Sequence, residues 1–253
     1  MTSLVLAIAV GALLGWGGGQ GATLTVGSDP KAYDFADLQT AVTSAETGDE
    51  IVIAPGRYEL PGPLYIGTSV TLRAAGEVVL ERTGSGSGTL VHVGGGTVQL
   101  VGLTFRGGGV AVTRPADVHV HECVFENCAV GVDGGNGVVE VTGSRFIGCG
   151  VGVRAGGQAL VRDSSFYGCR TGVMAVVAAA VTLEANMFSS NGIGVSGDHP
   201  CRVTGLRNVL LRNGIDLVGD VEASLRVPQR EATEGEVTYP GDEFGTLQEA
   251  VDA

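Results

Sequence analysis

Five side chains that could bind or transform a ligand lie at fixed distances before a recurring phenylalanine. His119 and His121 are two residues apart in an alternating segment, so their imidazoles face the same way, as a pair of metal ligands would. Beyond Glu140 no third ligand is evident, so a zinc site stays only an alternative. Two of these residues, His119 and Glu140, lie six positions before a phenylalanine. The other three, His121, Arg162 and Glu184, lie four positions before one, and Asp163 follows Arg162 directly.

The phenylalanine belongs to a repeat of 20 to 22 residues, and several other positions follow in step with it. A unit this short, with two alternating segments and several glycines, has no room for a helix, so each unit is one coil of strands and turns. Leucine-rich repeats share the period but not the residue pattern. The recurring columns are Phe105, Phe125, Phe146, Phe166, Phe188 and Leu210, then three residues later Gly108, Cys128, Cys149, Cys169, Asn191 and Asn213, and seven later Val112, Val132, Val153, Val173, Val195 and Leu217.

Stacking such coils predicts an all-β solenoid. Its strands would run parallel about 4.8 Å apart, with each residue above its equivalent in the previous coil. The phenylalanine and valine columns then fill a narrow core. The residue just before each valine, which is glycine in most units, would point outward or lie at a bend. The candidate polar side chains would share one outward patch about 15 Å tall.

The segments FSSNGIGVSG (188–197), FIGCGVGVRAG (146–156) and FYGCRTGVMA (166–175) resemble the repeats of right-handed parallel β-helix proteins of the pectate-lyase-like superfamily. The run 34–60 is similar to the capping helix and first coil of the same group. The resemblance implies the fold and leaves the function open, because lyases, hydrolases, esterases, adhesins and accessory proteins share this architecture. In its lyases an arginine or lysine acts as the base beside carboxylates that bind calcium.

The chain divides into three parts. Residues 1–22 contain an apolar segment too short to span a bilayer, and they are predicted to be a signal peptide. Residues 23–225 are predicted to form the β-helix, with a capping helix at about 35–46 for which Asp34 is the expected N-cap. Residues 226–253 contain a charged linker and a second cap-like segment, because Phe244, Leu247 and Gln248 repeat the spacing of the first cap. That segment either plugs the far end of the stack or begins a truncated second β-helix.

Composition and charge exclude several classes of function. Glycine makes up 43 of the 253 residues without a collagen period, and 44% of residues are hydrophobic, which indicates a folded chain rich in turns. The net charge of −12 disfavours nucleic acid and anionic membranes as partners. With the predicted signal peptide, the expected location is secreted, periplasmic or at the cell surface, without membrane insertion after signal removal.

The five cysteines could indicate disulfides or a metal site, but the geometry of stacked coils argues against both. Neighbours in register have Cβ atoms about 4.8 Å apart, longer than the usual 3.8 Å or so of a disulfide. We therefore predict that Cys128, Cys149 and Cys169 are free thiols at an inward bend, with disulfide and metal roles as alternatives. The Asn191 and Asn213 pair should form hydrogen bonds along the stack.

The strong repeat without a convergent catalytic set predicts an exported, non-catalytic scaffold that binds carbohydrate or a protein partner. Its binding residues would be His119, His121, Glu140, Arg162 and Asp163. The alternative is a carbohydrate-active enzyme, a polysaccharide lyase or epimerase, with Arg162, Glu140, Glu184 and His121 as catalytic residues. A third possibility is an accessory role in an exported complex. No cofactor or metal is expected, apart from calcium if the protein is a lyase.

Overall fold

The computed structural model describes residues 21–83, 88–113, 116–219 and 221. The predicted signal peptide lies outside the described residues except for Gly21 and Ala22. The predicted linker and second cap-like segment, 226–253, lie wholly outside them. No helix in the described ranges is long and apolar enough to cross a membrane.

A short helix closes the N-terminal end of the stack. Helix α1 spans Leu38–Ser44 and buries Leu38, Ala41 and Val42 in the core. Its N-cap is Asp37, whose Oδ1 accepts a hydrogen bond from the Thr40 amide at 2.8 Å. The helix therefore begins three residues later and ends two residues earlier than the predicted range 35–46, and its N-cap is Asp37 and not the predicted Asp34. Asp34 instead accepts hydrogen bonds from the Thr25 amide and hydroxyl at 2.9 and 2.7 Å, which ties the strand before the helix to the cap.

The rest of the described chain is built of short strands separated by turns. The first eleven are β1 Thr23–Val26, β2 Glu50–Ile53, β3 Gly56–Leu60, β4 Leu64–Ile66, β5 Val70–Arg82, β6 Gly88–Val93, β7 Thr97–Arg106, β8 Gly108–Val112, β9 Asp117–His121, β10 Val124–Glu126 and β11 Val130–Asp133. The next twelve are β12 Val138–Thr142, β13 Arg145–Ile147, β14 Val151–Ala155, β15 Gln158–Arg162, β16 Ser165–Tyr167, β17 Thr171–Ala175, β18 Ala180–Glu184, β19 Met187–Ser189, β20 Ile193–Gly197, β21 Arg202–Leu206, β22 Val209–Leu211 and β23 Ile215–Gly219.

The strands form a parallel β-helix with three faces, which confirms the predicted fold. The first face contains β9, β12, β15, β18 and β21 in that order, and the second contains β10, β13, β16, β19 and β22. The long strand β7 runs through the corner and belongs to both. The third face contains β4, β6, β8, β11, β14, β17, β20 and β23. Each strand pairs in parallel with the equivalent strand of the next coil.

The core consists of the columns that the period predicted. Phe105, Phe125, Phe146, Phe166 and Phe188 are fully buried. Successive rings stack with centroids 4.7 to 4.8 Å apart and planes within 7° of parallel. This separation matches the distance between neighbouring strands, so the rings repeat with the backbone.

Two details of the predicted repeat were wrong. Val132 pairs with Val110 and not with Val112, because the first unit is two residues shorter between Phe105 and the third face. The glycine before each core valine does not point outward. A Cβ at Gly152 would lie 2.5 Å from the Phe166 ring, so this glycine leaves room for the next phenylalanine.

Polar columns at the corners satisfy buried backbone groups. Asn191 Oδ1 accepts from the Cys169 amide at 2.9 Å, and its Nδ2 donates to the Phe166 carbonyl at 2.9 Å. Asn213 repeats this arrangement one coil later, as predicted. The cysteines at equivalent positions are buried free thiols, which confirms their structural interpretation. Cys128 Sγ donates to the Gly108 carbonyl at 3.3 Å.

Candidate functional site

Strand alternation places the candidate side chains on the outside of the first face. In β9 the inward residues Val118 and Val120 are fully buried, so Asp117, His119 and His121 point outward. The same alternation occurs in β12, β15 and β18. The outward grid on these four strands is Asp117, His119 and His121, then Val138, Glu140 and Thr142, then Gln158, Leu160 and Arg162, then Ala180, Thr182 and Glu184.

Glu140 is the centre of a three-residue contact. His119 is its register partner on the preceding coil, and His119 Nδ1 lies 3.1 Å from Glu140 Oε2. Arg162, on the following coil, donates from Nη2 to Glu140 Oε1. Arg162 Nε also donates to Thr142 Oγ1 at 3.3 Å. The structure therefore brings His119, Glu140 and Arg162 together, as the repeat predicted.

These partners stabilise the ionised form of Glu140. Partial burial raises the pKa of the Glu140 carboxyl, but the hydrogen bond and positive charge of Arg162, together with the His119 contact, lower it further than burial raises it. The net pKa is below the ordinary value for a glutamate. Both carboxylate oxygens are engaged and ionised, so Glu140 is poorly placed to give a proton to a substrate.

His121 differs from its neighbour in having no hydrogen bond to its imidazole within the described residues. Burial lowers its pKa below the ordinary value, more than the charge of Glu140 raises it. The ring is therefore neutral near pH 7. It lies beside His119, with centroids 6.3 Å apart and planes 15° from parallel. Neutral and half-buried, His121 could accept a proton or form a hydrogen bond with a ligand.

Glu184 and Asp163 do not join the contact. Glu184 is the register partner of Arg162, but the guanidinium reaches toward β12, and within the described ranges no cation pairs with Glu184. Asp163 lies in the turn after β15 at φ 50°, exposed to solvent. Glu140 and Glu184 stand two strands apart, about 10 Å by strand spacing, with Arg162 between them. They do not converge on one water as the carboxylates of an inverting hydrolase do.

Sequence reasoning missed three neighbours of the patch. Asp117 is the third outward residue of β9, and the alternation that placed His119 and His121 also identifies it. Thr142 orients Arg162, as described above. Glu122 follows His121 in an exposed turn, and its negative charge acts to raise the pKa of His121. Beside Asp117 lies an open cavity of about 380 Å³, lined by Gly96, Thr97, Ala116, Asp117, Asn136, Gly137 and Val138.

Metal binding has no ready-made cluster in the part of the chain that the structure describes. No group of three or more His, Cys, Asp or Glu side chains is arranged there to hold an ion. The His119 and His121 pair has Glu140 nearby, but Glu140 is already held by Arg162.

Comparison with known proteins agrees with this architecture. The sequence model of one protein family, described as the right handed beta helix region, matches residues 83–225, which is more than half of the chain. The chain belongs to the right-handed beta helix family. A shared fold does not by itself imply a shared function. No curated protein matches the chain by sequence.

Solved structures share the fold at low sequence identity. An alginate lyase from Paenibacillus sp. str. FPU-7 is 16% identical, with a TM-score of 0.54 over 80% of this chain and 99% of that one. The PL6 family alginate lyase AlyGC is 17% identical, with a TM-score of 0.55 over 84% of this chain. The match spans only 38% of AlyGC, so this β-helix corresponds to about two fifths of that protein. These likenesses establish the fold.

Proposed function

We propose that the first face binds a polysaccharide. The observation that carries this proposal is the grid of outward polar groups on consecutive strands, with imidazole, carboxylate, hydroxyl and guanidinium side chains in register beside an open cavity. Strand spacing is close to the length of one sugar residue in an extended glycan, so successive coils can offer hydrogen bonds to successive sugars. Solved neighbours that act on alginate support a carbohydrate ligand. Export follows from the predicted signal peptide.

The contacts within the patch favour binding over catalysis. Arg162 is an ion-pair partner of Glu140, and its guanidinium serves as a hydrogen-bond donor to Glu140 and Thr142. Glu140 has both oxygens engaged. Of the four residues predicted as catalytic, two therefore neutralise each other, and Glu184 stands apart. A preorganised polar surface of this kind can orient sugar hydroxyls without a reacting group aimed at them.

The alternative function, a polysaccharide lyase or epimerase, rests on one observation. His121 has a lowered pKa and an imidazole free of hydrogen bonds within the described residues, so it could serve as a general base. Arg162 is two strands away and could then neutralise the substrate carboxylate. Release of unsaturated sugars from alginate or pectate, abolished in His121→Ala, would establish this alternative.

A matched pair of double variants tests the binding proposal. His119→Ala with Arg162→Ala removes an imidazole and a paired arginine from the first face. His92→Ala with Arg154→Ala removes the same groups from the third face, where Arg154 pairs with Asp133 one coil earlier. Arg154 and Arg162 have side-chain exposures of 45% and 41%, so the changes are comparable.

Affinity for a panel of soluble glycans should fall at least tenfold in the first-face variant and stay within twofold in the third-face variant. Isothermal titration calorimetry measures the affinity, and circular dichroism confirms that both variants are folded. Equal losses in the two variants, or no glycan binding by the native protein, would refute the assignment of the first face.

A further inference from the structure

The first face is more acidic than its central arginine suggests. Its four central strands β9, β12, β15 and β18, with the turns that follow them, carry five carboxylates. The next strand, β21, and its turn carry Arg202 and Arg207. Arg162 is the one arginine or lysine in the four central strands and their turns, all of which are described, and it is already paired with Glu140. The carboxylates are those of Asp117, Glu122, Glu140, Asp163 and Glu184.

Five carboxylates against one guanidinium leave these four strands and their turns with a formal charge of −4 when the histidines are neutral, and the face from β9 to β21 with −2 when Arg202 and Arg207 are included. His121 is kept neutral near pH 7 by its burial, so it does not offset that charge. Adjacent coils are about 4.8 Å apart, and the Debye length is about 8 Å at physiological salt, so a ligand on this face experiences several of these charges at once. The chain as a whole has the same sign, with a net charge of −12.

Arg162, the cation at the centre of the face, is not available to a second carboxylate without a loss. Arg162 donates from Nη2 to Glu140 and from Nε to Thr142. A uronate carboxylate that reached the remaining N–H groups of Arg162 would lie against the Glu140 carboxylate. Placing like charges side by side in a binding site costs several kcal/mol.

Ionised carboxylates only accept hydrogen bonds, and sugar hydroxyls can donate them. Asp163 is exposed, and neither Asp163 nor Glu184 is paired with a cation within the described residues, so their oxygens are free to accept from a ligand. The open cavity adds the acidic Asp117 and the amide of Asn136 on the other side of the patch. The surface therefore offers acceptors in excess of cations.

We infer that the first face selects polysaccharides that carry no carboxylate or sulfate groups and rejects polyuronates. This inference rests on the proposed glycan-binding function and specifies its ligand class. The selection comes from Asp117, Glu122, Asp163 and Glu184, which repel an anionic chain and accept hydrogen bonds from the hydroxyls of a neutral one.

The test compares neutral and acidic polymers on the native protein. A neutral β-glucan and a mannan, alginate and polygalacturonate are titrated by calorimetry at low and at physiological salt. We expect at least one neutral polymer to bind at least tenfold more tightly than either polyuronate. Residual polyuronate binding should strengthen as salt is added, because salt screens the repulsion.

Charge-neutralising variants provide the control. Glu122→Gln, Asp163→Asn and Glu184→Gln together remove three carboxylates from the first face. Glu46→Gln, Glu59→Gln and Asp198→Asn remove three exposed carboxylates elsewhere and change the net charge by the same amount. Polyuronate affinity should rise at least fivefold in the first-face variant and less than twofold in the control.

The outcomes separate the two proposals. Tighter binding of a polyuronate than of any neutral polymer overturns the inference and leaves the glycan-binding function intact. An equal rise of polyuronate affinity in both triple variants also overturns it, because whole-molecule charge would then explain the preference. Binding of no polymer at all refutes the proposed function, and the inference fails with it.

Discussion

Arg162 reaches back across one coil to pair with Glu140, although Glu184 is its register partner on the next coil. Thr142 stabilises this orientation of Arg162, because its Oγ1 accepts a hydrogen bond from Arg162 Nε at 3.3 Å. Thr142 lies between Arg162 and His121 in the same column. This single orientation joins three coils through His119, Glu140 and Arg162. It also leaves Glu184 without a cationic partner within the described residues.

Removing this ion pair should have a small effect on stability. The side chains of Arg162 and Glu140 are 41% and 21% exposed, and pairs of this kind contribute about 0.2–1 kcal/mol. We expect Arg162→Ala to lower the free energy of unfolding by less than about 1 kcal/mol. Urea denaturation measures it, with Arg154→Ala as control. If Arg162→Ala alone lowered the free energy of unfolding by several kcal/mol, the ion pair would be a major contributor to the stability of the fold, contrary to this prediction.

The phenylalanine column should carry a large share of the core stability. Phe146 is fully buried between the rings of Phe125 and Phe166. Phe146→Ala should lower the free energy of unfolding by about 3–5 kcal/mol, because it creates a cavity inside the stack. Tyr65→Ala is the control, since Tyr65 is 63% exposed and its loss should cost about 0.5 kcal/mol or less. Similar losses in both variants would contradict the inward column.

The asparagine column predicts a difference between two replacements of one residue. Asn191→Leu leaves the Cys169 amide and the Phe166 carbonyl without their partner, at a cost of about 1–3 kcal/mol for each buried group. Asn191→Cys should lose less, because a thiol at the equivalent position donates to the preceding coil, as Cys169 Sγ does to the Phe146 carbonyl at 3.5 Å. Thermal unfolding of the two variants measures the difference. An Asn191→Cys protein no more stable than Asn191→Leu would be evidence against this role.

Two shifted groups predict that stability falls toward acid pH. The folded pKa of His121 lies below its ordinary 6.5, so the unfolded chain binds the proton more readily. Its contribution is therefore complete above pH 6.5 and is lost as pH falls through the folded value. The lowered pKa of Glu140 adds a second loss, which begins below its ordinary 4.5. His121→Gln should flatten the melting temperature profile just below pH 6.5 and leave the lower window unchanged. A profile with no slope below pH 6.5 in the native protein would contradict the burial of His121.

Much of the fold could be predicted because the chain repeats. In a stacked solenoid the sequence period is also the spatial register, so aligning units along the chain aligns neighbours in space. His119 and Glu140 were placed side by side on this basis, and the structure pairs them. The prediction failed where the period is interrupted. At Val110 the first unit is two residues shorter, and a strict count shifts the column.

The cap was predicted less accurately because several residues could begin the helix. Asp34 and Asp37 both suit an N-cap, and sequence spacing does not separate them. The strand β1 decides between them, since its Thr25 takes the Asp34 carboxylate as a partner. Asp37 is then left to cap the helix.

The sequence by itself determined the solenoid, its inward phenylalanine column and the face that carries the polar residues, because alternation and period are local properties of the chain. Only the tertiary structure decided which of those polar groups contact one another. Arg162 had carboxylates on both neighbouring coils, and its long side chain could reach either. The hydroxyl of Thr142 and the carboxylate of Glu140 lie on the same side of it, and the guanidinium forms one hydrogen bond with each.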